Sequence, residues 1–84
     1  MELHEELKKV GNREEFTAFL GLLAKDYRTH PQEWENGSVE SLLEGIQSWA
    51  QDMDGYYENM NLPMPKEIDW HFIATLFYAG KLYE

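Results

Sequence analysis

The chain has 84 residues, no cysteine and a net charge of −9, from 16 acidic against 7 basic side chains. This length predicts one domain over residues 1–84, and the missing cysteine excludes disulfides and thiolate metal sites. The acidic charge disfavours binding to nucleic acid and to anionic membranes, and it suits a protein partner with basic groups.

Two helices are predicted in the first third of the chain. A short one is indicated by apolar residues at helical spacing, Leu3, Leu7 and Val10. Gly11 interrupts it, and Asn12 can then cap a second helix with its side chain. This second helix should end near Thr29, because Pro31 disfavours helical geometry in the residue before it. Its apolar stripe consists of Phe16, Phe19, Leu20, Leu23 and Tyr27.

The longest helix is predicted from Ser38, which can cap it, to Met60. It follows a polar loop over residues 30–37, in which Asn36-Gly37 is a turn signal. Over about six turns its apolar residues keep the helical period: Val39, Leu42, Leu43, Ile46, Trp49, Ala50, Met53, Tyr56, Tyr57 and Met60. We expect this helix to be the spine against which the others pack.

A last helix is predicted over residues 70–84, with Asp69 as its cap. The connector before it, residues 61–68, contains two prolines that block a helix and favour an extended path. No strand pattern competes, so the predicted fold is all-α, a small irregular bundle of three main helices plus a short N-terminal helix. The predicted core consists of Phe19, Leu23, Leu42, Ile46, Trp49, Met53, Ile73 and Phe77.

The long helix carries two polar stripes beside its apolar face. One must face water and is mostly acidic: Glu40, Glu44, Gln47, Gln51, Asp54 and Glu58. The other lies between that line and the core and contains only short residues: Ser41, Gly45, Ser48, Asp52, Gly55 and Asn59. A glycine inside a helix costs about 1 kcal/mol relative to alanine, and a close contact would offset that cost. Either another part of the chain crosses this stripe, or the stripe forms a shallow groove for a partner.

Motifs for catalysis or metal binding are weak, so we expect no enzyme, no cofactor and no metal site. Residues 52–55 share features with a calcium-binding loop, but the third ligand position is missing and the run lies inside a helix. His4, His30 and His71 lie in separate segments without the spacing of a zinc site. Neither a nucleophile elbow nor a glycine-rich phosphate loop occurs.

The predicted helices leave Trp34 without a neighbour to pack against. We expect its loop to fold back and lay the ring against the start or middle of the long helix, where short residues leave room. Glu35 and Asn36 would then hydrogen-bond backbone near the start of that helix. The alternative is an exposed Trp34 at a binding hot spot, where tryptophan is enriched. Of the other tryptophans, Trp49 is expected in the core and Trp70 over the proline-containing connector.

Several segments together resemble one known family. They are Trp34-Glu35-Asn36, Trp49 followed by Asp52-Met53-Asp54-Gly55-Tyr56-Tyr57, the prolines, Trp70 and the terminal Tyr83-Glu84. The pattern covers residues 16–84 and is similar to a family of short, acidic bacterial proteins classed as a domain of unknown function. The resemblance implies a stand-alone small bacterial protein, and it implies no activity and no catalytic residues.

Size, charge and aromatic content favour a non-catalytic protein-binding module. A cytoplasmic location is expected, because the sequence shows neither a signal peptide nor a membrane span. One concrete form is an immunity-type inhibitor, a compact acidic domain that blocks the basic active site of a toxin. The alternative is a small-molecule or peptide binder whose aromatic and acidic pocket suits a cationic ligand. That pocket would be rimmed by Trp34, Asp52, Tyr56 and Trp70. The candidate binding residues are Trp34, Glu35, Asn36, Asp52, Tyr56 and Trp70.

Overall fold

The computed structural model describes residues 2–83 and contains four α-helices, α1 (Leu3–Leu7), α2 (Arg13–Thr29), α3 (Val39–Asn59) and α4 (Trp70–Leu82). A short 3₁₀ helix, Pro31–Glu33, follows α2. Because residues 2–83 contain no strand, the predicted all-α class is confirmed. The last helix was predicted to reach Glu84, but it ends at Leu82, and Glu84 itself lies outside the described residues.

The three long helices begin where their capping residues predict. In each case a side-chain oxygen of the cap accepts a hydrogen bond from the backbone N–H three residues later: Asn12 from Glu15 at 2.8 Å, Ser38 from Ser41 at 3.0 Å and Asp69 from Phe72 at 2.8 Å. Each bond satisfies one of the N–H groups that the first turn of a helix leaves without a partner.

Asp69→Ala is expected to lower the free energy of unfolding by about 1 kcal/mol, because the N–H of Phe72 loses its acceptor. Urea denaturation of the variant measures the loss. Asp69→Asn is the matched control, since an amide oxygen caps a helix about as well as a carboxylate. Equal stability of Asp69→Ala and wild type would mean that α4 does not depend on this cap.

The end of α3 is fixed by a left-handed residue. Asn61 has φ 57°, and its N–H donates to the carbonyl of Glu58 at 3.1 Å. The N–H of Leu62 donates to the carbonyl of Tyr57 at 2.9 Å. Together these two bonds form a Schellman motif, which closes the last turn of a helix and redirects the chain.

The helix against which the others pack is α4, so the predicted role of α3 as the spine is wrong. α4 contacts α1, α2 and α3, whereas the backbones of α2 and α3 do not contact each other. Apart from His71, Thr75 and Lys81, the residues of α4 are apolar or glycine. A helix that is apolar all round is buried in the centre of a fold, whereas α3 is apolar on one side only.

The core lies between α4, α2 and the N-terminal segment. Of the predicted core residues, Phe19, Leu23 and Trp49 are buried, and five are only half-buried: Leu42, Ile46, Met53, Ile73 and Phe77. Full burial of those five was a wrong prediction, because a domain of this size leaves much of its apolar surface uncovered. The core cluster instead includes residues from the N-terminal segment and from α4: Leu7, Val10 and Ala74. Across residues 2–83, none of the helices combines the length and the apolar character needed to cross a membrane.

Candidate functional site

An open groove lies over α4, with α1 on one side and α3 on the other. Both α1 and α3 pack on α4, but their backbones do not contact each other. The resulting cavity has a volume of about 810 Å³ and opens to solvent. Ligand-binding cavities range over roughly 300–1,000 Å³. The packing of the helices on α4 therefore leaves a space that is large enough for a ligand or for part of a partner protein.

The α3 wall of this groove is aromatic. The Trp49 ring lies edge-on to Tyr56, with ring centroids 5.3 Å apart, and 6.2 Å from the ring of Tyr57. Trp49 and Tyr57 are buried, whereas Tyr56 is 37% exposed. Burial raises the pKa of the Tyr57 hydroxyl, and nearby Tyr56 and Asp69 raise it further. The wall is therefore an apolar surface with hydroxyl groups, suited to contacts with apolar and aromatic groups.

Exposed apolar side chains gather at the rim of the groove. Three large ones that line it are about half exposed: Met60 at 53%, Leu62 at 48% and Leu82 at 48%. They come from the end of α3, the start of the connector and the end of α4. These side chains extend the apolar surface of the groove. Large exposed apolar patches are uncommon on soluble domains except at interaction sites, so this surface is a candidate binding site.

Most of the groove surface is apolar, and besides the tyrosines its polar lining residues are His4, Lys8, Asp52, Asn59, His71 and Thr75. The Tyr83 hydroxyl donates a hydrogen bond to Asp52 Oδ2 at 2.5 Å, and this bond is the main reason that the pKa of Tyr83 is raised. On the opposite side, α1 contributes His4 and Lys8, and Lys8 Nζ lies 3.5 Å from Glu5 Oε1. The groove therefore combines a mostly apolar surface with a few charged groups, contributed by α1 and α3.

The stripe of short residues on α3 divides into two halves with different roles. At Gly45 an added Cβ would lie 2.5 Å from Asn36 Nδ2 and 2.6 Å from the carbonyl oxygen of Tyr83, so this half is covered by the chain itself. At Gly55 an added Cβ would meet nothing within 4 Å, and Gly55 lines the groove. The interpretation that another part of the chain crosses the stripe fits the half at Gly45. The interpretation that the stripe forms a groove fits the half at Gly55.

The segment Trp34-Glu35-Asn36 ties the end of α2 to the end of α4. Trp34 packs edge-on against Tyr27, with ring centroids 5.2 Å apart, and the Lys81 Nζ lies 5.6 Å from its ring. The N–H of Glu35 donates to the carbonyl of Lys81 at 3.0 Å. Buried Asn36 donates from Nδ2 to the carbonyls of Gly80 and Tyr83, at 2.8 and 2.5 Å. These bonds satisfy carbonyl groups that the last turn of a helix leaves without partners.

The predicted position of this segment is therefore wrong in its details. Trp34 folds back, as expected, but onto α2 and α4 rather than onto α3. The side chain that covers Gly45 belongs to Asn36. The backbone partners of Glu35 and Asn36 lie at the end of α4, not at the start of α3. A short polar side chain fits against a helical glycine where an indole ring is too large.

Asp26 holds the segment in place from the side of α2. Its Oδ2 accepts hydrogen bonds from Trp34 Nε1 at 2.8 Å and from Lys81 Nζ at 2.9 Å. Burial disfavours the charged carboxylate, but the hydrogen bonds from Lys81 and Trp34, with the charges of Lys81 and His30, outweigh it and lower the pKa of Asp26. No local sequence pattern marks Asp26 for this role, because its partners Trp34 and Lys81 are distant in sequence.

The six predicted binding residues do not converge. Asp52 and Tyr56 line the groove, whereas Trp34, Glu35 and Asn36 form the segment between α2 and α4. Trp70 packs on Phe16, with ring centroids 5.5 Å apart, and is 37% exposed outside the groove. A single pocket rimmed by Trp34, Asp52, Tyr56 and Trp70 is therefore a wrong prediction. The groove also contains Lys8, Thr75, Leu82 and Tyr83. No local sequence pattern marks these four residues as neighbours, because only tertiary packing brings them together.

Within residues 2–83, no three histidine or acidic side chains are placed to hold a metal ion. Comparison with protein families gives a match over residues 12–84 to a model described as a family of unknown function (DUF7660). No curated protein and no solved structure matches the chain.

Proposed function

This chain belongs to the family of unknown function DUF7660, and we propose that it is a non-catalytic protein-binding module that receives an apolar segment of a partner protein in the groove between α1 and α3. The observation that carries the proposal is the open cavity of about 810 Å³ over α4, with exposed apolar side chains at its rim. Burial of apolar surface stabilises protein association, at roughly 25 cal/mol per Å² before the entropic cost of binding.

The acidic charge supports a basic partner. With a net charge of −9, the chain attracts cationic surfaces over a distance of about 10 Å at moderate ionic strength. An immunity-type inhibitor of a basic toxin in the bacterial cytoplasm is one form of this proposal. Complementary charge accelerates such association and makes its rate dependent on salt.

Gly55 gives a direct test of the groove. Gly55→Leu adds a side chain to the groove wall, where an added Cβ meets no atom within 4 Å. The fold is expected to tolerate it, because leucine is a better helix former than glycine by about 1 kcal/mol. Gly21→Leu is the matched control, since Gly21 also lies in a helix, also has nothing within 4 Å, and does not line the groove.

The measurement is quantitative capture from a lysate of the native host with three baits: wild type, Gly55→Leu and Gly21→Leu. We expect at least one protein to bind wild type and Gly21→Leu and to be reduced about tenfold or more on Gly55→Leu, which corresponds to about 1.4 kcal/mol. Proteins captured equally by all three baits do not use the groove. If no captured protein distinguishes Gly55→Leu from Gly21→Leu, the groove is not the binding site.

A second candidate function is the binding of a small molecule, favoured by the cavity volume and by the aromatic rings of Trp49 and Tyr56 on one wall. Native mass spectrometry of protein purified from the host distinguishes the two. A bound small molecule that is present on wild type and absent from Gly55→Leu supports this second function. A protein partner with the same dependence supports the first.

A further inference from the structure

We propose, building on the function above, that the partner segment is an amphipathic helix with lysine or arginine residues along the flank that meets α3. The groove has walls built from α1 and α3 and a floor built from α4. This is the position that a further helix takes when it completes a helical bundle. Helix binding in an apolar groove is also an established mode of peptide recognition.

The hydrogen-bonding needs of its backbone are the reason to expect a helical partner segment. Buried N–H and C=O groups need hydrogen-bond partners. An extended peptide obtains them from an exposed strand edge, but the groove is lined by helices, whose backbone groups are already paired within each helix. A helix satisfies its own backbone, so it can enter an apolar groove without this cost.

The dimensions of the floor set the length of the segment. α4 has 13 residues, which at 1.5 Å per residue spans about 20 Å. A helix of three to four turns matches that length, and its apolar stripe would meet the exposed side chains of Tyr56, Met60, Leu62 and Leu82.

The charges on α3 indicate which flank of the partner helix should be cationic. From residue 38 to residue 65 every charged side chain is a carboxylate: Glu40, Glu44, Asp52, Asp54 and Glu58. Asp52 lines the groove, and exposed Glu58 lies three residues after Gly55, which places it next to the groove wall on the surface of α3. On the α1 side the charges are mixed, because Lys8 is paired with Glu5. The α3 edge therefore favours cationic residues, whereas the α1 edge sets no strong preference.

Charge also disfavours two other occupants. A second copy of this chain carries the same net charge of −9, and an anionic membrane repels the acidic edge of α3. Both remain measurable alternatives. Sedimentation at increasing protein concentration reports self-association, and co-sedimentation with vesicles of anionic phospholipid reports membrane binding.

Three synthetic peptides of roughly 14 residues, about four helical turns, test the proposal. The first places leucine at helical spacing and lysine at the flanking positions. The second keeps the leucine stripe and replaces every lysine by glutamate. The third has the composition of the first in an order that destroys the stripe. Fluorescence anisotropy of labelled peptide gives the affinity, and circular dichroism gives the helix formed on binding.

We expect the lysine peptide to bind wild type about tenfold or more tightly than either control, and to gain helix when it binds. Its affinity should fall as salt is raised. Glu58→Lys should weaken it about fivefold or more, while Glu14→Lys, the same change in net charge on α2 outside the groove, should have little effect. Gly55→Leu should abolish binding and Gly21→Leu should preserve it.

If the lysine and glutamate peptides bind wild type equally and neither binds Gly55→Leu, the prediction of a cationic partner segment is wrong. The groove would still be a binding site. Equal binding of the ordered and scrambled lysine peptides would overturn the helix. The inference would also be overturned if none of the peptides binds. It would be overturned as well if the protein dimerises, or sediments with anionic vesicles, and Gly55→Leu blocks that behaviour. The proposed function stands or falls separately, on the proteins that distinguish Gly55→Leu from Gly21→Leu.

Discussion

Asp26→Asn is expected to lower the free energy of unfolding by about 2 kcal/mol at neutral pH, the scale of hydrogen bonds to charged groups. The Asp26 carboxylate accepts from Trp34 Nε1 and from Lys81 Nζ, at 2.8 and 2.9 Å. The Lys81 side chain is only 12% exposed. An asparagine keeps an acceptor for Trp34 but leaves a mostly buried ammonium without its counter-charge. Urea denaturation measures the loss.

The pH dependence of this loss has a defined sign. The pKa of Asp26 is lowered in the fold from its ordinary value of 3.8. The carboxylate therefore contributes its stability above the ordinary value, and the contribution disappears as the pH falls through the lower value of the folded state. The difference in stability between wild type and Asp26→Asn should be constant near neutral pH and should shrink in acid below the ordinary value.

Two further variants separate this mechanism from a general effect of charge. Asp54→Asn makes the same chemical change on the exposed acidic line of α3, and it should leave stability within about 0.5 kcal/mol of wild type. Lys81→Met, introduced into Asp26→Asn, removes the unpaired ammonium and should recover part of the loss. If Asp26→Asn is as stable as wild type at neutral pH, the ion pair does not hold the segment around Trp34.

Local signals in the sequence were sufficient to place the helices. Capping side chains and Pro31 act over three or four residues, so Asn12, Ser38 and Asp69 mark the starts of helices without knowledge of the tertiary fold. The prediction that α3 is the spine is wrong because the length of a helix does not decide whether it is central. The nearly unbroken apolar sequence of α4 was the better guide to a central helix.

The candidate site was less predictable, because its parts meet only through packing on α4. The aromatic residues of α3 form a periodic stripe in the sequence, but a periodic pattern does not distinguish Trp49, which is buried, from Tyr56, which is 37% exposed. The groove exists because α1 and α3 both pack on α4 while their backbones do not contact each other. That relation depends on the lengths and directions of the connecting segments, which no local rule supplies.

Alanine at Gly45 and alanine at Gly55 are expected to have opposite effects, although both glycines lie in α3 on the same stripe. At Gly45 the new Cβ would lie 2.5 Å from Asn36 Nδ2, 2.6 Å from the Tyr83 carbonyl oxygen and 2.9 Å from the Gly80 carbonyl oxygen. Two of these atoms are backbone, so α3 and α4 must separate. Overpacking of this kind costs about 1–3 kcal/mol, and the added methyl also displaces the hydrogen-bonded amide of Asn36.

At Gly55 the same substitution meets open space, so only the helix propensity changes. Alanine is favoured over glycine inside a helix by about 1 kcal/mol, and Gly55→Ala should raise the free energy of unfolding by up to that amount. Gly21→Ala, also in open space, should give a similar increase. Urea denaturation of the three variants measures all of these changes. If Gly45→Ala is stabilised like the other two, the contact between α3 and the end of α4 is looser than these distances require. If Gly55→Ala is instead destabilised, the groove wall at that position is not open, and the space assigned to a partner helix is already filled.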